Sequence, residues 1–180
     1  MDKQRPADPS TYIQVDTEEV KPHTYYLGLA CDYAKANSDD AVTQNGVLIK
    51  TVDNKLVLGA NMVPGTVHVT PERTSRPLKY DFIEHGERTA IWRCALNALP
   101  TNGATLYQIW YPCYDCARAI IGAGIVEIVG IQRARDLTPA HWQENLKVAE
   151  VMLREAGVRV TMVEERVGVQ MPFNGEMVEL

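Results

Sequence analysis

Two short runs constrain this chain more than anything else in it: His85-Gly86-Glu87 and, further on, Pro112-Cys113-Tyr114-Asp115-Cys116. Together they offer one imidazole, two thiols three residues apart, and a carboxylate beside the imidazole. Two sulfurs and one nitrogen suit Zn²⁺, and three protein ligands instead of four leave a coordination position open to water. A water at such a position has its pKa brought toward ~7, the mark of a catalytic metal site. In that arrangement His85, Cys113 and Cys116 are the ligands, and Glu87 is the proton carrier.

The spacing fits two helix starts. Cys113 and Cys116 stand at i and i+3, which puts both side chains on one side of a first helical turn. Pro112 suits the beginning of a helix because it has no N–H to leave unsatisfied there. The helix N-terminus also favours the thiolate that binds metal. His85 and Glu87, at i and i+2, would diverge in mid-helix. At a first turn with the ion off the helix end, one can ligate while the other reaches the water. The geometry expected is therefore two helix N-termini converging on one ion.

Other readings of the same residues are weaker. A C-x-x-C pair alone serves redox chemistry or half of a structural zinc site, but the redox reading leaves His85 and Glu87 without a use. A closed structural site needs a fourth ligand, for which Cys31 and Cys94 are the remaining cysteines. Cys94 lies roughly two and a half turns along the helix that begins near His85, too far from the ion. Core packing is expected of both, as is common for free cysteine.

The chain has 180 residues, 46% of them hydrophobic, enough for one full core. Residues 1–20 are expected to form an extended N-terminal arm and residues 21–180 a single domain. No apolar run approaches membrane-spanning length, and the polar start MDKQRPADPSTY does not read as a signal peptide. Four cysteines with two assigned to metal imply a reducing, cytoplasmic setting. A net charge of −5 argues against a long nucleic-acid footprint and for a small diffusible substrate.

Along the chain, Tyr26, Leu29, Ala30 and Tyr33 recur at helical spacing after Pro22, and Asn37-Ser38-Asp39-Asp40 ends that helix. Val42–Lys50 and Leu56–Met62 read as strands of a hairpin turned at Asp53-Asn54. The connection from Val63 to Ile83 carries Arg73, Arg76 and Lys79 into His85. A loop that long is commonly functional, and this one is placed to meet an anionic substrate. Glu84–Leu99 reads as a helix with Ile91, Ala95 and Ala98/Leu99 on its apolar face. Ala104–Tyr111 reads as a strand, Cys113–Ala123 as the second site helix, and Val126–Ile131 as a strand. Pro139–Ala156 reads as a long helix with Trp142, Leu146, Ala149 and Leu153 on one stripe, and Val158–Val163 as a last strand. The tail from Gly168 gives no clear pattern. The alternation implies an α/β fold, a sheet covered by helices on both faces, with the last two strands parallel.

H-x-E followed by P-C-x-x-C is the signature of zinc-dependent deaminases that act on cytosine or adenine. The segments E-H-G-E-R-T-A-I, T-L-Y-Q-I-W-Y-P-C-Y-D-C-A-R-A-I-I-G-A-G-I and L-R-E-A-G-V-R-V resemble the cytidine deaminase superfamily, and are most similar to the deoxycytidylate (dCMP) deaminases. The likeness runs from about Tyr25 to Glu164. It implies a three-layer α/β/α fold with a five-stranded mixed sheet, zinc between two helices, and hydrolysis of dCMP to dUMP and ammonia. The helix before the last strand resembles the dCMP, tRNA-adenosine and nucleic-acid branches. Other substrates the resemblance admits are a modified cytosine nucleotide, a purine, or a base in nucleic acid. A zinc-stabilised binding module without catalysis is the third class, and the intact Glu87 disfavours it.

By the same resemblance, Glu87 takes a proton from the attacking water and delivers it to the ring nitrogen. Gly86 holds the family's usual alanine position, whose backbone N–H meets the base carbonyl. Tyr111 offers its backbone carbonyl to the leaving amine, and Asn61 touches the sugar or base. Members are often hexameric, with dCTP and dTTP as effectors, so a homo-oligomer, hexamer or dimer, is expected. Two departures touch phosphate recognition: the family's basic segment before the first strand is here Ser38-Asp39-Asp40-Ala41-Val42, and the strand after the zinc helix ends Val129-Gly130-Ile131 without an aromatic. Arg73, Arg76, Lys79 and Arg88 are the candidates to take over those contacts.

Overall fold

The computed structural model describes residues 12–14 and 21–180. A short strand β1 (Tyr12–Gln14) is followed by helix α1 (His23–Asn37) and by the hairpin β2 (Gly46–Lys50) and β3 (Lys55–Ala60). Its turn closes as its residue types dictate. Asn54 takes a left-handed φ of 60°, which asparagine tolerates better than most residues, and Thr51 Oγ1 accepts from Lys55 N at 2.9 Å. Helices α2 (Lys79–Phe82) and α3 (Gly86–Leu96) lead to β4 (Thr105–Gln108), α4 (Tyr114–Gly122) and β5 (Glu127–Ile131). After α5 (Gln132–Asp136), a 3₁₀ turn (Ala140–Trp142) and α6 (Gln143–Glu155) come β6 (Arg159–Val163) and a second hairpin, β7 (Gln170–Phe173) and β8 (Glu176–Glu179).

The main sheet runs β1-β3-β2-β4-β5-β6. β2 is antiparallel to both β3 and β4, whereas β4-β5 and β5-β6 are parallel. The five strands from β3 to β6 form the expected mixed sheet, with its last two strands parallel across the α6 crossover. β1 adds an edge strand on β3, pairing Ile13 with Leu56. The remainder of the expected arm lies outside the described residues.

Both faces of the sheet are covered, which is why Val47-Leu48-Ile49 reads as an unbroken apolar run. Leu48, Tyr107 and Val129 face α1 and the tail; Val47, Ile49, Leu106 and Ile128 face α3, α4 and α6. Two glycines let helices press onto the sheet. A Cβ on Gly46 would stand 2.0 Å from the Ala30 carbonyl oxygen, and one on Gly59 would stand 2.4 Å from that of Gly86.

That close approach corrects the α1 stripe. The helix buries Tyr26, Leu27, Ala30, Cys31 and Ala34, while Leu29 and Tyr33 are only partly covered, because small side chains are what fit against Gly46. On α3 the buried face is Ala90, Ile91 and Cys94. The helix ends at Leu96, and Ala98 has a φ of 53° that breaks it before Pro100, so Ala95 and Ala98 stay exposed and only Leu99 returns to the core. The helix expected over Pro139–Ala156 begins as a 3₁₀ turn. Leu146, Ala149 and Leu153 form its buried stripe, and Trp142 leaves that stripe for another role. The unread tail is an ordered hairpin anchored by Met171 and Leu180, at 0% and 1% exposure.

Candidate active site

His85 is the N-cap of α3 and Cys113 the N-cap of α4. Neither has helical ψ (149° and 167°), so each side chain swings off its helix end toward the other. Cys116, one turn into α4, completes the group. His85 Nδ1 lies 3.6 Å from Cys113 Sγ and 3.5 Å from Cys116 Sγ, and all three ligand atoms fall within 4.8 Å of one another. Pro112 precedes the cap. Cys31 and Cys94 are buried in the two core clusters, one on each face of the sheet, and neither joins this group.

The electrostatics are those of a metal cradle. A hydrogen bond with Cys116, helped by His85, lowers the Cys113 thiol to about 4. Cys116, the partner that keeps its proton, is pushed well up by that bond and by burial. Burial works against charge on His85, but the bond to Cys113 and the nearby Glu87 outweigh it and raise its pKa. Two sulfurs and an imidazole nitrogen, gathered at two helix N-termini with no fourth protein ligand among the described residues, fit Zn²⁺ with a position to spare.

Glu87 sits in the first turn of α3 at 2% exposure, and that burial raises its pKa. Its Oε2 accepts from Asn45 Nδ2 at 3.1 Å. Asn45, itself buried, accepts from Trp110 N through Oδ1 at 3.3 Å and from Asn61 N through its backbone oxygen at 3.1 Å. Asn61 Oδ1 accepts from Gly86 N at 3.0 Å, and its Nδ2 donates to Thr43 O. The two residues expected to meet the base, Asn61 and Gly86, are therefore bonded to each other.

The site opens into a cavity of about 340 Å³. His85, Glu87 and Cys113 form its floor, with Asn45, Asn61 and Tyr111 around them. One wall comes from the long connection, where Arg76, Lys79 and Tyr80 meet Asp40 and Thr43. A second wall is Thr138, Pro139, His141 and Trp142 ahead of α6, and a third is Phe173 and Asn174 from the tail. Phe173 stacks on Trp110, ring centroids 4.0 Å apart and planes 21° from parallel.

Of the four cations singled out in the sequence, Arg76 and Lys79 line the cavity. Arg88 does not: its Nε donates to Glu84 Oε1 at 2.6 Å and its guanidinium pairs with that carboxylate. Arg73 lies over the Phe82 ring and donates to His68 O. The sequence reading missed Asn45, Trp142 and Phe173. One signal could have found Asn45: an antiparallel β2/β4 pair puts the start of β2 beside the end of β4, where Pro112 and Cys113 follow.

Residues 20–132, more than half of the chain, match the family described as the cytidine and deoxycytidylate deaminase zinc-binding region. An "uncharacterized deaminase in luxG 3′ region" of Aliivibrio fischeri is 31% identical over 125 residues, covering 69% of this chain and 82% of that one. The deoxycytidylate deaminase of Mus musculus is 28% identical over 141 residues, 74% and 75% of the two chains. Crystals of the dCMP deaminase from cyanophage S-TIM5 in complex with dCMP and dUMP show a similar fold. Its TM-score is 0.62, at 20% identity over 81% of this chain and 100% of that one. No helix among the described residues is long and apolar enough to cross a membrane. With its ligand triad and its sheet matching as well, the chain belongs to the cytidine and deoxycytidylate deaminase family of zinc-dependent hydrolases.

Proposed function

We propose that the chain hydrolyses the 4-amino group of a deoxycytidine nucleotide, converting dCMP and water to dUMP and ammonia. The observation that carries this reading is a buried carboxylate, Glu87, held beside a three-ligand zinc cradle at the floor of an aromatic-walled cavity. Zinc held by His85, Cys113 and Cys116 supplies a Lewis acid that makes water acidic enough to attack at neutral pH. Glu87 takes the proton from the attacking water. It passes that proton to N3 of the ring, then takes the remaining proton from the hydroxyl now on C4 and gives it to the departing amine. The amine leaves as ammonia as the C4–N bond breaks and the C4 carbonyl forms. The raised pKa of Glu87 suits a group that must both accept and return a proton. Asn45, donating to Oε2, keeps the other oxygen of Glu87 aimed at the reacting atoms.

Around the base, the backbone carbonyl of Tyr111 receives the leaving amine. The Gly86 N–H turns from Asn61 to the base carbonyl as substrate enters, freeing Asn61 for the sugar. Trp110, Phe173 and Trp142 offer flat apolar surface to the ring. Arg76 and Lys79 face the phosphate, and Arg88, tied to Glu84, orders the start of α3 instead. The nucleotide assignment draws on the deoxycytidylate deaminases among the relatives and on the complex of the cyanophage enzyme with dCMP and dUMP. Self-association and dCTP or dTTP control belong to the same proposal, to be read from solution mass with and without the triphosphates.

The test is ammonia release across cytosine and adenine bases, their nucleosides and their mono- and triphosphates. Highest kcat/KM for dCMP is expected. Turnover of a purine with none of a cytosine compound overturns the substrate, and no turnover of any of them by zinc-loaded protein overturns the reaction.

A further inference from the structure

One buried ion pair lines the cavity and takes no part in the proton transfers just described. Lys79 Nζ lies 2.7 Å from Asp40 Oδ2, and the two side chains are 5% and 8% exposed. Asp40 is fixed from behind: its Oδ1 accepts from Val42 N at 3.0 Å and from Thr43 N at 3.1 Å. Only Oδ2 is turned to the lysine. The ammonium group has three donors, and its one hydrogen-bond partner among the described residues is Asp40. The Tyr80 ring lies 5.4 Å from it. Arg76, three residues earlier and exposed, lines the same wall. This end of the cavity thus has two cations and one built-in anion.

We propose that Asp40 is a specificity-determining residue that limits how much negative charge the substrate can carry at this wall. The inference rests on the nucleotide reading above and says how that site chooses among nucleotides. A buried ammonium without a partner is costly, so without substrate Lys79 needs a counter-charge, and Asp40 supplies it. The same carboxylate then stands against any incoming phosphate. What remains is a modest net attraction with two unused lysine donors and the arginine fork, matched to one phosphate. Each further phosphate adds repulsion from Asp40 without adding a cation.

Asp40→Asn is the informative change, because the amide oxygen can still accept from Val42 N and Thr43 N while the charge is gone. The ratio of kcat/KM for dCMP to that for deoxycytidine should rise about tenfold, from removal of one like charge at short range, and the ratio for dCDP should rise more. An unchanged or lower ratio overturns the proposal. Calorimetric titration of inorganic phosphate into the zinc-loaded protein reads the same quantity without turnover, and tighter binding by Asp40→Asn is expected there too. If Asp40→Asn alone does not fold, the double variant Asp40→Asn/Lys79→Met is read against Lys79→Met, in which Asp40 keeps its two backbone N–H donors. With the lysine absent from both, loss of the Asp40 charge should raise the dCMP to deoxycytidine ratio and tighten phosphate binding, and no difference between the two overturns the proposal. Failure of the nucleotide reading itself appears separately, as wild-type protein that prefers deoxycytidine to dCMP.

Discussion

The floor of the cavity and its rim are built on opposite principles. The floor and the metal cradle beneath it lie at caps or in first turns of helices: His85 and Glu87 on α3, Cys113 and Cys116 on α4. Their mutual placement follows from two short spacings and from the sheet that brings two helix N-termini together. The rim is assembled from three segments far apart in the chain: the connection before α2, the 3₁₀ turn before α6, and the tail hairpin. Two of those segments lie beyond residues 20–132, where the family match ends. The floor, inside the matched region, is therefore where the family bears on the reaction, and the rim is where selection among substrates is to be tested. Changes to the floor should act on metal content and kcat, and changes to the rim on KM.

The sharpest break is to the metal cradle. Cys116→Ala removes a buried ligand and should abolish stoichiometric zinc and all measurable activity; full metal content by elemental analysis would exclude Cys116 as a ligand. The cradle also has a pH signature. Zinc must displace the proton that Cys116 holds tightly, and that of His85 when it is charged, whereas Cys113 is already ionised near neutrality. Binding then releases protons, so affinity should rise with pH and chelator extraction should speed up as pH falls. Extraction rates that do not change with pH would contradict this proton inventory.

Next comes Glu87→Gln, which keeps the size of the side chain and removes its ability to carry a proton. Loss of about 10²–10⁴-fold in kcat is expected for a general acid–base group, with zinc retained. Turnover within a few-fold of wild type would remove Glu87 from the mechanism. Asn45→Ala tests the same oxygen from behind. It leaves Glu87 Oε2 without its donor, and a buried hydrogen bond to a charged group is worth about 1.5–3 kcal/mol, so kcat should fall about 10–100-fold with little change in KM. If Asn45 acts through Glu87, the two losses will not add. A double variant that loses the product of both effects would show an independent role.

How much of this could be read in advance follows the same division. The grouping of His85, Cys113 and Cys116, the position of Glu87 in the adjoining first turn, the hairpin and the parallel β5-β6 pair were legible, because each depends on local spacing or on an element order that leaves few topologies. The α1 stripe was misread because its facing is decided by Gly46, a residue in another element. Asn45 reaches Glu87 only through the β2/β4 register. Arg88 looked like a phosphate ligand from its place after Glu87, yet a carboxylate one turn back, Glu84, takes it. Trp142 has helical spacing with Leu146, but it sits where the helix has not yet begun and the side chain faces the cavity.

Phe173 is the residue on which the rim half of the comparison stands, and its change should be the mildest of these. It belongs to the tail hairpin, which is held to the 42–44 segment by Gly175 N donating to Val42 O and Gln44 N donating to Pro172 O. Its ring covers Trp110, whose indole Nε1 donates to Gln44 O at 2.7 Å. Phe173→Ala leaves those backbone bonds in place and strips one aromatic face from the cavity wall. Stacking of a base on an aromatic ring is worth about 1–3 kcal/mol. KM for the preferred substrate should therefore rise about tenfold, with kcat and zinc content close to wild type, and Phe173→Tyr should restore most of the loss. A fall in kcat at constant KM would place Phe173 with the floor instead, acting through Trp110 and Asn45 on Glu87, and the division between reaction and selection would have to be redrawn at that stack.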